Sequence, residues 1–161
     1  MGRKGLSPFI STTLIILIGL VGITLVLILV RPSLDKTKDS AVINEALQNL
    51  NLIDGTIREI VSEGESAKTT ISLSVSDGTY EIDSNCDCIN FTYDMKTGLD
   101  ISGYKDGINV THNEDTIRLF IDYSKIDIQG SDHFSKGSNS IVIIHSGINT
   151  TTDYPIIYIE K

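Results

Sequence analysis

The chain has 161 residues, 40% of them hydrophobic, and a formal net charge of −8; that length allows one domain plus an anchor, not two independent cores. All 21 acidic residues lie beyond Arg31, where ten basic residues accompany them, so this part of the chain carries −11. Such a surface repels phosphate and sets nucleic-acid binding aside; its plainest use is solubility in a crowded extracellular layer.

The hydrophobic content is concentrated near the start. Arg3 and Lys4 come first, with no acidic residue among them, and Ser7-Pro8 then offers a capping side chain and a proline suited to the first helical position. From Leu14 to Val30 the sequence reads LIILIGLVGITLVLILV, without charge and with Thr24 as its one polar residue. Phe9 and Ile10 extend the segment to roughly 22 residues, about what a helix needs to cross the hydrocarbon layer of a membrane. A buried core helix would show a polar stripe, and none is visible. The basic residues before the run favour the N-terminus inside and the rest outside, although Arg31, Lys36 and Lys38 place positive charge on the other flank as well.

Pro32 cannot donate to the carbonyl of Ile28, so a kink or a restart is expected there. Beyond it Val42, Ile43, Ala46, Leu47, Leu50, Ile53, Ile57, Ile60 and Val61 recur at steps of three and four. Asp39, Glu45, Gln48, Asn49, Asn51, Asp54, Arg58 and Glu59 lie between them, which makes an amphipathic helix with one apolar face. Residues 8–62 thus read as one long helix or two nearly collinear ones, roughly 80 Å in all.

After Glu63-Gly64-Glu65-Ser66 the period changes to two. Ile71, Leu73 and Val75 alternate with Ser72, Ser74 and Ser76, and Asp77-Gly78 reads as a hairpin turn into Tyr80 and Ile82. Further strands are expected at Ile89–Tyr93, Ile108–Thr111, Ile117–Tyr123, Ile126–Ile128, Ser140–His145 and Ile156–Ile159, punctuated by glycines. The tyrosines, Tyr80, Tyr93, Tyr104, Tyr123, Tyr154 and Tyr158, suit strand faces and sheet packing. The fold class that follows is α+β: a long N-terminal helix packed against a C-terminal antiparallel β-rich head.

Little in the head points to catalysis. No G-x-S-x-G elbow, H-E-x-x-H pair or Gly-rich phosphate loop is present, and Asp132-His133 stands without a matching nucleophile motif, so the chain reads as a non-enzyme without a cofactor. Asp77-Gly78-Thr79 and Asp106-Gly107 lack the rest of a calcium-loop pattern and read as turns. The two cysteines, Cys86 and Cys88, flank Asp87. In a straight strand their Cβ atoms would lie farther apart than a bridge prefers, so a local disulfide needs a bend; a bridge between neighbouring subunits, free thiols, or a metal site with Asp83 and Asp87 are the other readings. His112, His133 and His145 have no metal-ligand spacing. Three sequons make Asn90, Asn109 and Asn149 candidate N-glycosylation acceptors, although such triplets also arise by chance in a chain rich in Asn, Ser and Thr.

The leader carries the most specific signal. The apolar run ends Leu29-Val30-Arg31-Pro32, without the small-x-small pair of a secretory cleavage site. Before it stands Arg3-Lys4-Gly5-Leu6-Ser7-Pro8-Phe9. This leader resembles the class III signal peptides of archaeal type IV pilins and archaellum-type subunits, in which a basic residue and a glycine or alanine precede the cut and Ser-Pro often follows. Lys4-Gly5 matches the first pair, and Leu6-Ser7-Pro8 matches the mature N-terminus. The resemblance implies processing by a prepilin peptidase between Gly5 and Leu6, with Lys4, Gly5, Leu6 and Ser7 as its recognition residues. It implies residues 1–5 as leader, 6–31 as transmembrane and assembly helix, 32–63 as its amphipathic extension and 67–161 as an extracellular head. It further implies that copies of the chain or other pilins meet through the N-terminal helix, after storage in membrane lipid and with the help of assembly machinery. Gly19 and Gly22, one turn apart, would let neighbouring helices approach. Bacterial members of the family carry a glutamate at the fifth mature position; here that position is Ile10, and archaeal members commonly lack the glutamate. The expected function is a major or minor pilin of a surface filament, with adhesion as one use. The other reading is a monomeric single-pass signal-anchored extracellular binding protein.

Overall fold

Helix α1 spans Pro8–Glu63, 56 residues and about 80 Å of continuous helix. It opens the computed structural model, which describes residues 8–98, 103–105, 107–130 and 133–161. Helical structure continues through Pro32, so of the two expected forms the chain adopts one long helix and does not restart there. The missing donor costs about 3 kcal/mol, and the regular helix on both sides carries the loss. The first half of α1 is the one helix among the described residues that is long and apolar enough to cross a membrane. Its large side chains from Ile10 to Leu34 are between 42% and 77% exposed, with no part of the head covering them. Thr24 places its hydroxyl on the Leu20 carbonyl at 2.9 Å, so the polar atom within the apolar run is satisfied inside the helix.

The second half of α1 is different because it has somewhere to bury a face. Val42, Ile43, Ala46, Leu47, Leu50, Ile53, Ile57 and Ile60 are each at most 7% exposed. They pack against β1, β5, β7 and β8. The strands are β1 (Lys68–Asp83), β2 (Cys88–Asp94), β3 (Gly103–Lys105), β4 (Ile108–Asn113), β5 (Thr116–Asp122), β6 (Asp127–Gln129), β7 (His133–Ile148) and β8 (Pro155–Glu160). They form one sheet among the described residues, in the order β3-β4-β5-β2-β1-β7-β8-β6, and only the β6–β8 pair is parallel. The fold is α+β, with a β-rich head built on the outer half of one long helix.

Alternation decides which side chains meet the helix. Leu73, Val75, Tyr80 and Ile82 of β1 point inward, as do Phe91 and Tyr93 of β2, Ile117, Leu119 and Ile121 of β5, and Ile141 and Ile143 of β7. Tyr80 lies between Phe91, 4.7 Å away, and Phe134, stacked at 5.1 Å. The short strands β3 and β6 end the sheet, so neither edge offers a long unpaired ladder.

Asp77-Gly78 is not the hairpin turn expected from the sequence. Strand β1 runs straight through it, and the pair forms a bulge where the register with β7 shifts between Val75 and Thr79. Gly78 has φ +88°, and a Cβ there would strike the Phe91 ring and the Thr92 carbonyl. The dipeptide therefore supplies its positive φ to a bulge beside the helix instead of to a turn.

Two neighbouring leucines test this division of the helix. Leu50 is fully buried and Leu52 is 47% exposed. Leu50→Ala is expected to destabilise the head by about 2–5 kcal/mol and Leu52→Ala by less than about 0.5 kcal/mol. Urea unfolding of the full chain in detergent micelles, followed by tyrosine fluorescence, measures both.

Candidate functional site

The junction of helix and head is built from polar contacts along the rim of the apolar face. Its centre is Asp39, fully buried at the level where α1 meets the sheet. Its Oδ1 accepts the Tyr93 hydroxyl at 2.7 Å. Its Oδ2 accepts the Lys96 N–H at 3.0 Å, the Thr97 N–H at 2.9 Å and the Thr97 hydroxyl at 2.7 Å. Burial pushes this carboxyl upward, but the four donors outweigh it and hold its pKa below the usual carboxylate value. Tyr93 shifts the other way, raised by burial and by donation to the Asp39 carboxylate.

Farther along α1, Glu45 and Asn49 make further contacts with the sheet. Glu45 accepts the Ser76 N–H and the Ser76 hydroxyl, both at 2.7 Å, which fastens the β1 bulge to the helix. Asn49 donates to the Ser74 carbonyl at 2.8 Å and to the Tyr80 hydroxyl at 3.2 Å. The Tyr123 hydroxyl lies beside Asp54; burial, then the nearby carboxylate, raises its pKa. Lys38 and Asp77 form an exposed ion pair at 2.8 Å at the foot of the head. Strands β1 and β2 thus each bring a tyrosine hydroxyl into a hydrogen bond with a polar residue of the helix, at 3.2 Å to Asn49 and 2.7 Å to Asp39. These contacts, set around the buried apolar face, oppose rotation of the head about the helix axis.

The other candidate residues are dispersed. Lys4, Gly5, Leu6 and Ser7 lie outside the described residues. Gly19 and Gly22 sit on the uncovered half of α1, and no atom lies within 4 Å of where a Cβ would be on either. Cys86 and Cys88 are bonded to each other, and the bend this needs is supplied by Asp87 at φ +50°. Asp87 itself is held in place, its carbonyl accepting the Tyr123 N–H at 3.0 Å and its Oδ1 the Ile128 N–H at 2.9 Å. Asp83 places an oxygen among the two sulfurs, all within 4.8 Å, but the disulfide leaves no thiolate to bind a metal. His145 is buried with Nε2 against the Gly147 carbonyl, whereas His133 is exposed on the first residue of β7; Asp132 lies outside the described residues.

The three sequons occupy different settings. Asn90 of β2 and Asn109 of β4 both stand opposite Phe120 of β5, so the two come into one row across the sheet. Asn149 is engaged in the β7–β8 loop, where its side chain donates to Asp127 and accepts the Thr151 N–H.

The sequence did not single out Asp39, which reads as one more acid on the solvent side of the helix. The signal available was its place one turn before Val42 and Ile43, at the edge of the apolar face.

No protein-family model, curated protein or solved structure matches the chain.

The sign of the Asp39 shift sets a pH dependence. Its pKa is lower folded than unfolded, so it stabilises the head above the usual carboxylate pKa near 3.8, and that contribution is lost as pH falls through the lowered folded value. Asp39→Asn, which presents an NH₂ to two N–H donors or loses an acceptor, is expected to lower head stability at pH 7 by about 1–3 kcal/mol. It should also flatten the decline of the thermal midpoint between pH 5 and pH 2 relative to the unmodified chain, measured by circular dichroism in micelles.

Proposed function

We propose that the chain is a structural subunit, major or minor, of an archaeal type IV pilus-like surface filament, with the acidic head displayed outward and available for adhesion. One observation carries the reading: a single helix whose first half is apolar on every side continues without a break into a half that is bolted to a folded head. A passive tether needs only the first half, and a flexible linker would serve it. A filament needs both halves, because a screw operation places every head identically only if helix and head move as one body.

The chemistry of the first half suits two environments in turn. As a monomer it sits in lipid, which solvates every face. In a bundle of copies, side chains such as Leu14, Leu17 and Val21 would exchange lipid contacts for contacts with neighbouring helices, and Gly19 and Gly22 would let backbones come close. The net −11 beyond Arg31 keeps the displayed heads soluble. The resemblance of the leader to class III signal peptides supports processing by a prepilin peptidase between Gly5 and Leu6 and use of the retained helix by assembly machinery.

Mass spectrometry of the native protein decides between this reading and a monomeric signal-anchored binding protein. A mature N-terminus at Leu6 is expected, and Gly5→Trp should leave the precursor uncut in the membrane and absent from filaments. Protein that keeps Met1 or Gly2, or normal incorporation of Gly5→Trp, would contradict the filament reading.

A further inference from the structure

The charge of the head is unevenly distributed. Where α1 joins the sheet, an open hollow of about 480 Å³ is lined by Lys38, Lys96 and Lys136 with the hydroxyl-bearing Thr79, Thr92 and Ser135. Two acids share it, and both are engaged: Asp77 with the Lys38 ammonium and Asp94 with the Thr116 hydroxyl, each at 2.8 Å. The hollow itself thus carries three lysines against two acids, a local excess of one positive charge in a chain that carries −11 beyond Arg31. This lysine-lined hollow lies at the end of the head nearest the apolar half of the helix.

The lysines of the hollow are placed by the fold. The backbone N–H of Lys96 is one of the donors to buried Asp39, so the segment that carries it is tied to the helix. Lys136 lies between Ser135 and Gly137, opposite the bulge of β1. Lys38 is seven residues beyond Arg31, roughly 10 Å along the axis. The headgroup layer reaches about 5–7 Å above the hydrocarbon, and an extended lysine side chain covers the remaining distance.

We propose that this hollow binds the phosphate headgroup of an anionic membrane lipid and seats the head on the membrane surface while α1 is still embedded. The inference rests on the membrane-embedded stage of the proposed function and not on assembly. An acidic head otherwise repelled by an anionic surface gains one attractive face, and the contact is released when the helix leaves the lipid.

The full chain in nanodiscs of mixed phosphatidylglycerol and phosphatidylcholine provides the test, with retained lipids identified by native mass spectrometry. Phosphatidylglycerol is expected to be enriched among them. The enrichment should fall about fivefold for each of Lys96→Gln and Lys136→Gln, the worth of one basic residue at an anionic surface, and stay unchanged in Lys68→Gln at the opposite end of the head. Equal retention of the two lipids, or enrichment that survives the double variant, would overturn the proposal. Lysine-dependent binding of free glycerol phosphate in discs of phosphatidylcholine alone would replace it with a soluble-anion site. Lysine-dependent dimers without lipid adducts would replace it with the acidic head of a neighbouring copy. A chain that did not enter the discs would count against the membrane-embedded stage itself, whereas a failed lipid preference leaves the filament reading standing.

Discussion

Burial of one face of α1 against the inner face of the sheet is the contact on which the rest of the molecule depends. From Val42 to Ile60 the helix presents a single apolar stripe, and the strands that cover it have few other apolar surfaces to pack on. Burying eight aliphatic side chains of this size stabilises the pairing by well over 10 kcal/mol before the ordering of the chain is counted. With such a helix removed, this mostly antiparallel sheet would leave Leu73, Phe91, Leu119, Ile141 and their neighbours in water. Helix and head are therefore one folding unit, although the helix extends far beyond it.

The same contact decides how force and position pass between the two halves. Apolar packing alone would tolerate some rotation of the helix about its axis. The rim contacts do not, because Asp39, Glu45 and Asn49 each meet a fixed group on the sheet. Asp39 is the most exacting of them, a buried charge that is stable only with its donors in place. A chain of this form presents its head at one angle to the apolar segment.

Much of this was legible in the sequence, for a physical reason. Period-three-and-four spacing from Val42 to Ile60 and period-two spacing through Ile71, Leu73 and Val75 are direct records of which faces are buried, and both match the structure. Where the record was weak, the reading was weak. The first half of β7 runs through Ser135, Lys136, Gly137 and Ser138, exposed polar residues that pair with β1 without an apolar signature. Strand β3 is three residues long, too short for a pattern. Asp77-Gly78 has the local chemistry of a turn, and only the approach of Phe91 and the helix makes it a bulge. The role of Asp39 depends on Tyr93, Lys96 and Thr97, more than fifty residues away, which no local pattern records. The cysteine pairing likewise turned on the backbone of Asp87, whose φ is not written in the spacing.

In the filament proposed above, copies of the chain would join through the uncovered half of α1. Electron cryo-microscopy of filaments sheared from the cell surface tests it most directly. The account predicts a core of packed helices formed by residues before Pro32, each continuous with a head of the described fold on the outside. Filaments without this chain, with the protein confined as a monomer to the membrane fraction, would contradict it.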